Sequence, residues 1–261
     1  MMVSFVIPSR NQAGFIERCL DSCLALDSHE REVIVMDGAS TDKTQSLLSA
    51  YGSRIQWLSE PDRGQSDAVN KGIAKARGEI IAWINSDDYY PDHRLLSHIM
   101  EKFCREPTLD IIHGDGNLVD SKGAVIRRFR SSEMTSSREM LLRAGIGICQ
   151  PALFFRRRLF LEAGGLNIHL HWAMDLDLWL RLFPLARKVS YLNEVLACAT
   201  CHPQAKSIAG MWPHIHEICA VLRKYQGQHS WTVAERLKLW RGKTALYLYG
   251  LAVRLHLKKV I

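Results

Sequence analysis

The chain has 261 residues, 47% of them hydrophobic and 23% charged, a balance that excludes a disordered polypeptide and supplies one substantial core. No apolar run reaches the roughly 18 residues needed to cross a bilayer, and the opening Met1-Met2-Val3-Ser4-Phe5-Val6-Ile7-Pro8 carries no basic leader, so a cytoplasmic location is expected. The net charge of +7 is concentrated at 231–261, where seven Lys/Arg face one acid, Glu235; the first 230 residues hold 27 basic against 26 acidic side chains and carry no reading-head motif, so nucleic acid is not an expected partner. Seven cysteines, odd in number and unevenly spread, fit reduced thiols better than a disulfide framework.

In chain order, residues 3–7 predict a strand, 8–11 its exit loop, and 15–26 a helix from the apolar spacing of Phe15, Ile16, Cys19, Leu20, Cys23 and Leu24. A second strand is predicted over 32–36. The turn Asp37-Gly38-Ala39-Ser40-Thr41-Asp42 follows, with Gly38 expected to take the unusual dihedrals and Ser40, Thr41 or Asp42 to cap a helix running to about Tyr51. A short strand at 55–59, a helix from Ser66 or Asp67 to Arg77 closed by Gly78, and a strand at 80–84 complete a βαβ series that implies a mainly parallel sheet. After residue 105 the order is more mixed: strands at 109–113, 124–129 and 151–155, then helices at 158–163, 173–183 and 211–225. With no linker, the chain divides into a domain of residues 1–230, made of a first half of about 1–105 and a second half of about 106–230 on the same core, expected to hold a second substrate, and a tail of 231–261. That tail spaces Leu237, Trp240, Leu248, Leu251 and Leu255 three or four apart (or multiples of these), as an amphipathic helix lying on an anionic membrane would.

In open α/β sheets ligands gather outside the carboxyl ends of strands, and the polar clusters here, Pro8 to Asn11, Asp37 to Asp42, Glu60 to Asp67 and Asn85 to Asp88, all fall at such ends. No Gly-rich phosphate loop is present. The adjacent carboxylates Asp87 and Asp88 at a strand end therefore point to a hard divalent cation on a substrate diphosphate.

Taken together, Val6-Ile7-Pro8-Ser9-Arg10-Asn11, Val33 to Asp42, Ser59 to Gly72 and Asn85-Ser86-Asp87-Asp88 resemble, in order and spacing, the family 2 inverting glycosyltransferases of the GT-A fold, over about residues 3–210. The resemblance implies a nucleotide-binding half of about 1–105 and an acceptor half of about 106–230, that Asp37 contacts the nucleotide base, usually uracil, that Pro8 and Asp67 line the nucleotide pocket, and that Asp87 and Asp88 touch the ribose and hold Mg²⁺ or Mn²⁺. Asn85 stands where many relatives have Asp. Ala173 to Arg181 resembles the helix whose acidic pair, usually Glu-Asp, presents the base; Met174 replaces the Glu and leaves Asp175, with Asp177 the runner-up or an ion-pair partner of Arg181. Gln150 and Asp115 are weaker acceptor-side candidates.

Cys198-Ala199-Thr200-Cys201-His202 spells a haem-attachment pattern, but the resemblance reads His202 and Ser207 as a loop closing over the diphosphate, with His202 an additional metal ligand. The implied function is transfer of a sugar from a UDP-sugar to a hydroxyl of a saccharide or lipid-linked saccharide, in surface polysaccharide synthesis, peripheral on the cytoplasmic face of the inner membrane. A sugar nucleotidyltransferase and a non-catalytic nucleotide-sugar binder are the alternatives, the second suggested by Asn85 and Met174.

Overall fold

The computed structural model describes residues 1–131, 133–134, 136–143, 147–242 and 244, with the backbone alone at 207–208. Among the described residues eight strands make one sheet. β1 (Val3–Ser9), β2 (Arg31–Asp37), β3 (Gln56–Ser59) and β4 (Ile80–Trp83) are parallel in the order β3-β2-β1-β4. β7 (Leu153–Arg156) joins β4 antiparallel and passes the sheet on to β5 (Leu109–Val119), again antiparallel. The far half of β5 pairs antiparallel with β6 (Val125–Phe129), while β8 (Lys188–Thr200) runs parallel along the other edge of β5. The sheet is thus parallel in its first half and mixed in its second.

The two faces alternate as the side-chain period of a strand requires. Val3, Phe5 and Ile7 of β1 turn toward α1 (Ile16–Leu24), α2 (Thr44–Ala50) and α4 (Leu95–Arg105), and Val6 turns the other way with α3 (Gln65–Lys75). Gly72 lets α3 lie directly on β1, since a Cβ there would sit 2.5 Å from Val6 Cγ1. The second core continues through Trp83, Leu153 and Phe155 to α6 (Arg157–Glu162), α7 (Met174–Leu182) and α9 (Met211–Gln226). Two short helices, α5 (Ser137–Leu142) and α8 (Lys206–Ala209), also lie in the second half.

Several expectations are corrected. β8 and α5 were not anticipated, and β5 extends six residues past His113. Gly38 is not the strained residue of its turn: Ala39 takes φ 55°, and Gly38 is needed because a Cβ would lie 2.5 Å from the Asp62 carboxylate. Asn11 has a φ of 53°. Two non-glycine residues at positive φ, both in loops after parallel strands, mark backbone held against its preference by the surrounding contacts.

Residues 233–242 are helical and begin the tail. Trp231 packs against the core and under the Arg138 guanidinium, and Arg138 pairs with Glu235 at 2.8 Å. Beyond that tie Val233, Leu237 and Trp240 are exposed. Leu248, Leu251 and Leu255 lie outside the described residues. Among the described residues no helix is long and apolar enough to cross a membrane.

Candidate active site

A cavity of about 610 Å³ opens at the carboxyl ends of β1 and β4 and is closed on its far side by the start of α7 and by the loop after β8. Asp87, Asp88, Asp175 and His202 all line it, although they are spread over 116 positions of sequence. Pro8, Asn85 and Gln150 line it too.

The Asp87–Asp88 loop is stitched to the end of β8. Tyr89 and Cys198 exchange both backbone hydrogen bonds, and the Thr200 N–H donates to Asp88 Oδ1 at 2.9 Å. Asp88 is buried, and that burial, with the charge of Asp87 beside it, pushes its proton affinity well above the usual carboxylate range. Asp87 is the more accessible of the two. Its Oδ2 lies 3.1 Å from His202 Nε2, and the imidazole stacks on Phe15 with ring centroids 4.4 Å apart. The Arg18 guanidinium braces the same loop, donating to Thr200 Oγ1 at 3.0 Å and lying over the Tyr89 ring.

Asn85 is a hydrogen-bond hub rather than a weakened Asp. Its Oδ1 accepts from Gln65 Nε2 at 2.7 Å, and its Nδ2 donates to Gln150 Oε1 at 3.0 Å and toward Asp88 Oδ2 at 3.4 Å. A carboxylate here would lose both donations and set a further negative charge against Asp88. Gln150 in turn donates to the Trp83 carbonyl at 2.6 Å, so its side chain forms cavity floor.

Across the cavity stands Asp175 in the first turn of α7. The Leu176 N–H contacts its Oδ1 at 2.7 Å. Burial raises its proton affinity above the ordinary Asp value, with His214 of α9 the main charge opposing that rise. His214, Trp172 and Lys206 share this wall, and Lys206 Nζ reaches Gln65 Oε1 at 3.1 Å. None of these three was singled out from sequence. His214 and Lys206 have no local signal, but Gln65 sat inside a segment already quoted for its family likeness.

Four sequence candidates sit elsewhere. Asp115 is fully buried in β5, outside the cavity wall, where its carboxylate accepts from Arg128 Nε, Ser131 N and Tyr191 Oη, each at 2.8 Å, and so ties β5 to β6 and β8. Asp177 pairs with Arg181 at 2.7 Å and accepts from Tyr225 Oη at 3.0 Å, on the α7 face turned to α9. Asp67 is absent from the cavity wall; Arg63 and Lys71 hold it, and the Arg63 guanidinium leads in drawing its carboxyl down to about 2. Asp37 lies beneath its turn, accepting from Ser40 N at 2.9 Å and Ser59 Oγ at 2.6 Å, so it shapes the loop beside the cavity. The Ser207 side chain lies outside the described part of the structure.

The donor set suits a divalent cation of the kind that substrate phosphates help to hold. Among the described residues no group of three or more His, Cys, Asp or Glu is arranged to hold a metal ion, while one carboxylate, Asp87, and one imidazole, His202, meet at the cavity surface. Mg²⁺ and Mn²⁺ accept oxygen-rich sites with one or two protein ligands, completed by phosphate oxygens and water. Cys198 is buried and Cys201 half-buried, and neither is in a disulfide.

The model of Glycosyl transferase family 2 matches residues 4–165, and the chain belongs to that family. It is 30% identical over 218 residues to an uncharacterised glycosyltransferase of Rickettsia felis, a match that takes in 79% of this chain and 35% of that protein. The chain therefore spans about a third of the length of that relative. Among solved structures, S. aureus TarS 1-349 in complex with UDP-GlcNAc aligns with a TM-score of 0.69 at 17% identity over 94% of this chain and 80% of that one. The mannosyltransferase PcManGT from Pyrobaculum calidifontis, in complex with GDP-Man and Mn²⁺, aligns with a TM-score of 0.66 at 17% identity over 96% and 71%. The fold is the GT-A fold of glycosyltransferases.

Proposed function

We propose that this chain transfers a sugar from a UDP-sugar to a hydroxyl group of a saccharide, with inversion at the anomeric carbon and with a divalent cation. The observation that carries the reading is the placement of Asp175 and the Asp87–His202 pair on one cavity, at the carboxyl ends of the parallel strands. The TarS complex with UDP-GlcNAc supports a UDP-linked donor, and the PcManGT complex with Mn²⁺ supports a cation, each by likeness of fold.

In this reading the nucleoside end rests against Pro8 and Ser9, beside the turn held by Asp37, and the diphosphate meets Asp87 and His202. A cation held by those two side chains would neutralise charge on the departing diphosphate. Asp175 takes the proton of the acceptor hydroxyl as that oxygen bonds to the anomeric carbon and the bond from that carbon to the β-phosphate oxygen breaks, releasing UDP. An ionised carboxylate with raised proton affinity is a stronger base than an exposed Asp, which is what the burial of Asp175 provides. The Met174 replacement leaves this chemistry to a single acid.

The acceptor is proposed to be lipid-linked. Val233, Leu237 and Trp240 lie exposed on a helical stretch rich in basic side chains, suiting an anionic membrane surface. Sedimentation with anionic vesicles checks this: L237S/W240S is expected to lower binding at least fivefold, and unchanged binding would reject it. For the reaction itself, UDP release is measured across several UDP-sugars with Mn²⁺ and with EDTA. Release that needs the cation and one particular sugar is expected. Consumption of a nucleoside triphosphate instead would favour a nucleotidyltransferase.

A further inference from the structure

Helix α7 presents Asp175, yet no side chain of its own caps its first turn: the capping position is Ala173, which offers no acceptor. Glu217 of α9 fills that place. Its Oε2 accepts the Trp172 N–H at 2.6 Å and the Ala173 N–H at 2.7 Å, and its two oxygens take the His171 N–H at 3.0 and 3.1 Å. Three successive amides converging on one carboxylate form an anion nest, and a negative charge beside a helix start is favourable. Gly210, just before α9, brings the chain onto the same segment, since a Cβ there would lie 2.1 Å from Trp172 Nε1. A second tie follows further along α7, where Tyr225 of α9 donates to Asp177.

Glu217 is not part of the cavity wall, but Trp172, whose own amide it holds, and Asp175, two residues past the last of those amides, are, as is His214 on its own helix. We infer that Glu217 is a positioning residue that fixes the segment before α7 so that Asp175 and Trp172 face the cavity, and that it acts on the reaction only through them. The inference rests on Asp175 being the base. Without the carboxylate three amides must find new partners, the start of α7 relaxes, and the base drifts from the acceptor oxygen. A displacement of about 1 Å costs on the order of 100-fold in rate. The donor site, built on β1, β4 and the Asp87 loop, stays as it is.

The test is a double-mutant cycle, read as UDP release with whichever UDP-sugar is turned over fastest and as UDP affinity by calorimetry with Mn²⁺ present. Glu217→Ala is expected to lower kcat about 100-fold and E217Q, which keeps one acceptor oxygen, about tenfold, both with UDP affinity within about twofold of the parent. In a D175N background E217Q or E217A should add less than about threefold, because a positioning residue has nothing left to position. E217Q supplies the answer if E217A does not fold. A full additional loss in the D175N background, or weakened UDP binding equal to the loss in kcat, would overturn the inference while leaving the base assignment standing. Parental turnover by D175N would remove the base assignment, and the positioning role with it.

Discussion

In the first half of the domain, residues 1–105, the polar side chains that reach the cavity come from loops at the ends of parallel strands, whereas in the second half, residues 106–230, most buried acids never reach it. Asp110, Asp115 and Asp177 are all buried, and each is consumed in joining one element to another. Among the described residues of that half, Asp175 is the one acid that faces the cavity. The contrast follows from topology. β1, β2 and β4, buried on both faces, set the spacing of those loops by parallel backbone pairing, and side-chain bonds such as Ser59 to Asp37 finish each turn. The second half, with antiparallel strands, a parallel edge strand and the helices α5 to α9, uses ion pairs and side-chain to backbone bonds to hold its parts in register.

Removing Asp110, Asp115 or Asp177 should therefore damage the fold before it damages chemistry. Asp110 gives the largest effect: fully buried, it accepts from the Arg187 backbone and guanidinium and pairs with Arg158, so that burial, which raises its proton affinity, is outweighed and the carboxyl is held at about 2. D110A is expected to cost about 3 to 5 kcal/mol in urea denaturation, since it strands arginines around an empty site. A cost below about 1 kcal/mol would break the comparison.

His113, buried in β5 against Phe183 and Tyr191, is next. Burial lowers its proton affinity to about 4 from 6.5. The unfolded chain therefore binds the proton more readily, and stability contributed by the neutral imidazole is present above pH 6.5 and lost as pH falls toward 4. The loss amounts to about 3 kcal/mol over that window. Denaturation at pH 7 and pH 4.5 should reveal it, and His113→Gln should flatten that part of the profile.

In the first half the effect should fall on binding instead. D87A is expected to weaken UDP about 10- to 100-fold in the presence of Mn²⁺, with thermal stability nearly unchanged. Loss of the fold in this variant would show that the loop is a strut as well.

The first half was legible because its strands are continuous apolar runs: β1, β2 and β4 fall within two residues of their expected ends. β8 escaped because Lys188–Thr200 mixes exposed and buried positions without a clean alternation, its edge being set by β5. Asp115 and Asp177 read as site residues because sequence spacing cannot distinguish an acid facing a ligand from one facing Arg128 or Tyr225. Nor could it bring Glu217 to amides more than 40 positions earlier. Gly38 was credited with a dihedral that Ala39 adopts; what Gly38 supplies is room for Asp62, a tertiary requirement.

The central claim is that the cavity holds the donor on one wall and a single carboxylate base on the other. Its most direct test is D175N, measured for UDP release with the preferred UDP-sugar and acceptor and for UDP affinity on the same preparation. The account expects turnover to fall by about 10²- to 10⁴-fold with UDP affinity within about twofold of the parent. Turnover within about threefold of the parent would contradict it.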